Sequence, residues 1–127
     1  MLIMSIFIAS ERDMMKKITK DNYESIVYIS HAFQGNPDNV SEIENIISTL
    51  QEQYPNYLFI SPVHTFGFLY DKVDYDKGLE MTLFLLDTCC DEMWYTPDEN
   101  SRGVATEIAY CKEYNIPYKN INEVLKC

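Results

Sequence analysis

Short β-branched and aromatic runs alternate with longer stretches of helical periodicity along most of this chain. The runs are predicted to be strands, because residues of these types pack well in a buried sheet. They occupy residues 26–30, 57–60, 92–95 and 116–118. Strands that alternate with helices favour a parallel sheet. We therefore predict an α/β fold with a doubly wound, mostly parallel sheet of four to five strands, flavodoxin- or Rossmann-like, with helices on both faces.

The helices between these runs are predicted from capping residues and apolar spacing. Asn36 precedes a proline, which is a typical helix start, and apolar residues then recur at steps of three and four. Asp74 and Ser101 are the expected N-caps of two further helices. A last short helix is predicted at residues 121–126.

The length of 127 residues suits one domain with a single core. We predict that residues 26–127 form this domain. Residues 1–25 are predicted to be an N-terminal extension that need not be ordered, since Met14 and Met15 offer an alternative start. The apolar residues 1–10 are too few to span a bilayer and lack the flanks of a signal peptide, so no membrane association is expected.

The net charge of −10 argues against binding to nucleic-acid polymers, whose phosphates it would repel. A small phosphorylated ligand stays compatible, because a helix N-terminus can hold it. The four cysteines match no zinc spacing and suggest free thiols in a reducing cytoplasm. With no dinucleotide or Walker motif either, we predict no metal and no cofactor.

Ligands of doubly wound sheets bind beyond the carboxyl ends of the strands. This rule selects the loops after Ser30, Ile60 and Tyr95. The second of these is predicted to be a long loop at residues 63–72, rich in aromatic side chains. Such loops usually cover a site; alternatively, residues 66–70 would form a contact surface for a partner or a second copy.

Glu107 is the main candidate for chemistry. It lies in the helix after Ser101, at the border of the apolar stripe formed by Val104, Ile108 and Cys111. An acid at this border is only partly solvated. The ordinary interpretation is a carboxylate that interacts favourably with the helix dipole, and a catalytic carboxylate is the alternative.

Two motifs give this alternative its weight. The first is V-Y-I-S at residues 27–30, and the second is S-R-G-V-A-T-E at residues 101–107. In this order and placement they resemble the nucleoside 2-deoxyribosyltransferase family and its nucleotide N-glycosidase relatives. The segments Y-I-S-H (28–31) and S-P-V-H (61–64) resemble a less characterised branch from bacteria and phages. The resemblance extends over residues 26–118.

The resemblance implies a role for each matched position. Glu107 would be the nucleophile that attacks the anomeric carbon of a nucleoside or nucleotide, and a second base or water would resolve the glycosyl ester. Tyr28 would orient this carboxylate through a hydrogen bond. Ser101 and the amides of Arg102 and Gly103 would bind a 5′-hydroxyl or phosphate, and the Arg102 guanidinium is either a further donor or merely solvated.

Other candidates lie in the loops after the first two strands. Gln34 and Gly35 occupy the loop with which relatives hold the sugar or phosphate. His31 and His64 are either surface residues or groups that bind the base or move a proton, because imidazole titrates near neutrality.

The chain also departs from the family. Leu83 stands where relatives carry an aspartate that handles the leaving base. Asp87 and Glu80 lie about one turn to either side and are the candidates to replace it, with Asp87 included among the predicted site residues. A C-terminal segment that reaches into a neighbouring subunit's site in the transferases is missing. These departures favour hydrolysis or binding over transfer.

Three functions follow in order of preference. The first is cleavage or transfer of an N-glycosidic bond in a nucleoside or nucleotide. The second is a non-catalytic module that binds or senses a nucleotide. The third is a structural or partner-binding domain. Because the relatives assemble into dimers or larger rings, the resemblance also implies a homo-oligomer.

Overall fold

The computed structural model describes residues 15–127, which form four strands and four helices. The strands are β1 (Ser25–Ser30), β2 (Tyr57–Ile60), β3 (Glu92–Tyr95) and β4 (Tyr118–Asn120). The helices are α1 (Pro37–Gln53), α2 (Pro62–Phe66), α3 (Tyr75–Cys89) and α4 (Arg102–Tyr114). Short 3-10 turns occupy Lys20–Asn22, Gly67–Leu69 and Ile121–Glu123. The part of the predicted N-terminal extension at residues 1–14 lies outside the described residues.

The four strands form one parallel sheet in the order β2-β1-β3-β4. β1 is central, because Tyr28 pairs with Ile60 of β2 on one side and with Met93 of β3 on the other. β4 is the edge strand beside β3. The predicted mostly parallel α/β sheet is therefore confirmed.

Both faces of the sheet are covered by helices, as predicted. On one face, Val27, Ile29 and Trp94 pack with Leu50 of α1. On the other face, a second cluster joins the sheet to α3 and α4; it contains Tyr28, Met93, Leu86 and Cys111. The alternation of Val27, Tyr28 and Ile29 between the faces follows from the two-residue period of a strand.

The chain changes direction across the sheet between β1 and β3. The connection after β1 leads to α1 on one face, whereas the connection after β3 leads to α4 on the opposite face. Two neighbouring parallel strands whose connections diverge in this way leave a crevice at their carboxyl ends. The first and third loops selected from the sequence meet at this crevice.

The predicted helix starts are confirmed by their capping bonds. The side chain of Asn36 accepts from the Asp38 amide at 2.9 Å, and that of Asp74 accepts from the Lys77 amide at 2.7 Å. Ser101 Oγ accepts from the Val104 amide at 3.2 Å. Each bond satisfies an amide that the first helical turn cannot pair internally.

The predicted loop at residues 63–72 was wrong in part, because Ser61 and Pro62 begin a helix. Ser61 Oγ caps α2 by accepting from the His64 amide, and Pro62 occupies the first helical position. The 3-10 turn Gly67–Leu69 continues the segment. The sequence had the signals of a helix start, but only five residues form helix, too few for a visible apolar period.

The C-terminal boundaries also differ from the prediction. The fourth strand begins at Tyr118, two residues later than expected, and its neighbour Pro117 contributes only a carbonyl, which accepts from the Met93 amide at 2.9 Å. The predicted final helix at residues 121–126 is a single 3-10 turn at Ile121–Glu123, capped by the Asn120 side chain. Val124 leaves this turn and packs into the core beneath α1.

Among residues 15–127, no helix combines the length and apolar character that crossing a membrane requires.

Replacement of Leu50 by alanine should lower the free energy of unfolding by about 2–5 kcal/mol, because its side chain is fully buried between α1 and the sheet. Ser48→Ala, on the exposed side of the same helix, should change it by less than about 0.5 kcal/mol. Urea denaturation of both variants measures the difference. Equal losses would contradict the assigned burial of α1.

Candidate active site

Glu107 lies in the second turn of α4, on the side that faces the sheet. The spacing of Val104, Glu107 and Cys111 puts the three residues on one buried stripe. The Glu107 side chain is only 6% exposed. The sequence placed it at the border of the apolar stripe, whereas the structure places it within the stripe. The carboxylate is therefore not a solvated acid at a helix start.

Two hydroxyl groups from β1 compensate for this burial. Tyr28 donates from its phenol to Oε2 of Glu107, and Ser30 donates from Oγ to Oε1 at 2.7 Å. Tyr28 and Ser30 are two residues apart on a strand, so their side chains point to the same face of the sheet. Both carboxylate oxygens are thus held in place from the central strand.

The environment shifts the acidity of both partners. Burial raises the pKa of Glu107 to about 6, against the opposing effect of the hydrogen bonds from Tyr28 and Ser30. Burial, followed by the negative charge of Glu107, raises the pKa of Tyr28 well above its ordinary value. At neutral pH the pair therefore consists mainly of a carboxylate and a protonated phenol that donates to it.

Glu107 also lines a cavity of about 460 Å³ at the carboxyl edge of the sheet. This volume is in the range of small-molecule sites. Apolar and aromatic side chains form much of its wall, including Phe33, Phe66 and Tyr70. A buried carboxylate beside a mostly apolar cavity is the usual setting of a reactive acid or nucleophile.

The N-terminus of α4 forms another part of this wall, with Ser101, Arg102 and Gly103. Ser101 Oγ caps its own helix, while the amides of Arg102 and Gly103 lie in the first turn, where no intrahelical acceptor exists. A Cβ at Gly103 would meet only Ser101 Oγ, at 3.9 Å, so the space beside it is open. The Arg102 guanidinium lies over the Tyr75 ring, 4.4 Å from its centroid.

The loop after β1 brings two further predicted residues to the cavity. Gln34 lines it with a left-handed backbone (φ 55°), and His31 lines it as well. Gly35 (φ 68°) lies behind the wall, and a Cβ there would approach Tyr70 Cε2 to 3.0 Å. A side chain at Gly35 would therefore displace the Tyr70 ring, so this glycine shapes the wall without lining the cavity.

Two other predicted residues lie outside this cavity. His64 joins α2 to α1, with Nδ1 2.8 Å from Ser61 Oγ and Nε2 2.8 Å from Glu44 Oε2. Asp87 accepts a hydrogen bond from the Tyr110 hydroxyl on the exposed side of α3 and α4. Neither residue is among those that line the cavity.

The position of the family aspartate is not filled from nearby. Leu83 packs against the core cluster around Tyr28. Glu80 is exposed and pairs with Lys77 Nζ at 2.9 Å. Thr82, next to Leu83, does line the cavity, and its hydroxyl donates to the Leu79 carbonyl at 3.0 Å.

Sequence reasoning missed Ser30 as a partner of Glu107. The signal was present, because Ser30 follows Tyr28 by two residues on a predicted strand and must share its face. It also missed Asp74 as a lining residue, for which the capping role was the only visible signal.

Residues 25–121 match a protein family described as a domain of unknown function (DUF7768). The chain belongs to this family. The matched region begins with β1 and ends at Ile121, so it includes Tyr28, Ser30 and Glu107. No curated protein matches the chain.

Replacement of Glu107 by glutamine should remove a pH-dependent cost of folding. The pKa of Glu107 is raised from 4.5 to about 6, so the stability associated with its protonated form is full below pH 4.5 and is lost as pH rises through about 6. The total loss is about 2 kcal/mol. Between pH 5 and pH 7.5, the free energy of unfolding of wild type should fall relative to Glu107→Gln by about 1 kcal/mol.

Urea denaturation of both proteins at the two pH values gives this difference, since every other titratable group is common to them. A gap that stays constant with pH would show that Glu107 has an ordinary acidity.

Proposed function

We propose that this protein cleaves or transfers the N-glycosidic bond of a nucleoside or nucleotide, with Glu107 as the nucleophile. The observation that carries the proposal is the buried Glu107 carboxylate, held by Tyr28 and Ser30 at the wall of a ligand-sized cavity. The resemblance of the two motifs to the nucleoside 2-deoxyribosyltransferase family supports the same chemistry.

In the proposed reaction, a Glu107 oxygen attacks the anomeric carbon and the base departs. Water or a second base then releases the sugar from the glycosyl ester, which divides one difficult displacement into two easier ones. Tyr28 and Ser30 position the carboxylate. They also share its charge, which keeps a buried nucleophile ionised at neutral pH.

The first turn of α4 suits the 5′ end of the ligand. The amides of Arg102 and Gly103, with the positive end of the helix dipole, can bind a hydroxyl or a phosphate group. The open space beside Gly103 admits such a group, and Gln34 supplies an amide from the opposite loop.

Binding without turnover is the second candidate, for a specific reason. At the position where the resembling family carries an acid for the leaving base, Leu83 belongs to the core, and Glu80 and Asp87 are engaged elsewhere. A protein with this cavity could bind a nucleotide and leave it intact. A homo-oligomer and a cytoplasmic location remain predictions, and Phe68, 74% exposed beside the cavity wall, is suited to a contact surface.

Incubation with a panel of ribo- and deoxyribonucleosides and their 5′-monophosphates should release free base, detected by liquid chromatography. Glu107→Ala should lower the rate by at least about a thousandfold, because the covalent route is lost. Glu113→Gln, an exposed acid on the same helix, should keep the wild-type rate. Calorimetric binding with no base released from any substrate would favour the binding module instead.

The rate should rise with pH around a midpoint near 6, since only the ionised Glu107 carboxylate attacks. The neighbouring phenol of Tyr28 and thiol of Cys111 do not titrate in this range, because burial raises the pKa of both, that of Cys111 to about 11. The profile of kcat/KM is measured with a nucleoside, as a substrate phosphate would itself titrate near pH 6. A midpoint near 4.5 would contradict the assigned environment.

A further inference from the structure

The wall of the cavity on the β2 side is aromatic. Phe33 comes from the loop after β1, and Phe66 and Tyr70 come from the segment after β2. The rings of Phe33 and Tyr70 are in edge contact, with centroids 5.2 Å apart. Tyr70 is fixed further by its close contact with Gly35. The faces of such rings carry partial negative charge and attract cations.

A carboxylate stands beside this aromatic wall. Asp74 lines the cavity four residues after Tyr70, at the end of a turn in which the Val73 amide donates to the Leu69 carbonyl at 3.1 Å. Asp74 accepts from the Lys77 amide, so it acts as a hydrogen-bond acceptor. Arg102, the guanidinium among the described lining residues, lies across the cavity on α4 and over Tyr75.

The other titratable groups of the wall are engaged in hydrogen bonds that use their protons or lone pairs. His31 has Nδ1 2.6 Å from the Ala32 carbonyl and Nε2 3.5 Å from Glu42 Oε2. The Tyr28 phenol donates to Glu107. Among the described residues, the remaining polar groups of the wall are hydroxyls, amides and the Arg102 guanidinium, which hold their protons at neutral pH.

From these contacts we infer that the substrate is an N-glycoside whose base already carries a positive charge, such as a pyridinium or an N-alkylated purine. The inference rests on the proposed function and names its substrate class. The aromatic wall and Asp74 favour a cationic base. A cationic base also needs no proton from the protein in order to leave.

The steps balance without a general acid. A Glu107 oxygen forms a bond to the anomeric carbon while the carbon–nitrogen bond breaks, and the electron pair stays on the ring nitrogen. The cationic base leaves as a neutral molecule. Water then hydrolyses the glycosyl ester, which returns the Glu107 carboxylate, gives the free sugar and releases one proton to solvent.

The test compares matched bases in the full-length protein. 7-Methylguanosine and guanosine differ by the methyl group that fixes the charge, and nicotinamide riboside and uridine form a second cationic and neutral pair. We expect kcat/KM to be at least about a hundredfold higher for each cationic member, the size of a typical general-acid contribution that the neutral base lacks. One proton should be released per turnover of nicotinamide riboside.

The two failures are distinguishable. A ratio below a hundredfold, with all substrates cleaved in a manner that depends on Glu107, would overturn the cationic substrate class and leave the proposed function standing. Cleavage of none of the four compounds, nor of their 5′-monophosphates, would overturn both.

Variants of the wall supply an independent readout. Tyr70→Leu should raise KM for 7-methylguanosine by roughly threefold to thirtyfold, because it removes a ring that faces the cation. Phe68→Leu, a neighbouring aromatic that does not line the cavity, should leave KM unchanged. Inhibition by guanosine should weaken less than 7-methylguanosine binding in Tyr70→Leu. An equal loss for both ligands would mean that Tyr70 only packs, and would count against the inference.

Discussion

The buried carboxylate of Glu107 is the constraint on which the site depends. A charge in an apolar environment is costly unless hydrogen bonds compensate for it, and here Tyr28 and Ser30 donate to its two oxygens. Both donors belong to the central strand, and Glu107 belongs to the helix that packs on that strand. The site is therefore formed only when the sheet and α4 are assembled. Its parts, 79 and 77 residues apart in the chain, have no local reason to meet.

The topology of the sheet decides where the cavity opens. Because the connections after β1 and β3 leave toward opposite faces, the carboxyl ends of these strands are not covered by their own helices. The segment after β2 then closes one side of the crevice with aromatic rings, and the first turn of α4 closes another with polar groups. One cavity thus offers two chemically different walls to a ligand, with Glu107 among the residues that line it.

Sequence patterns predicted the sheet, the three long helices and the pairing of Tyr28 with Glu107, because these follow from periodicity, capping residues and a resemblance carried by two motifs. They failed where the signal was short or lay in tertiary packing. The five residues of α2 have no apolar period. Asp87 had the right chemistry and nearly the right spacing, but it faces Tyr110 and not the cavity. His64 lay at the end of the correct strand, yet it bonds to Ser61 and Glu44.

The sequence by itself determined the local elements, since hydrophobic period and capping act over a few residues, and it determined that the carboxylate would lie on or beside an apolar stripe. Tertiary structure alone decided the rest: which side chains reach the cavity, that Ser30 shares the carboxylate with Tyr28, and that the pKa of Glu107 is raised to about 6. The physical reason is that desolvation and hydrogen bonding depend on the atoms packed around a group, and for Glu107 those atoms come from a distant strand.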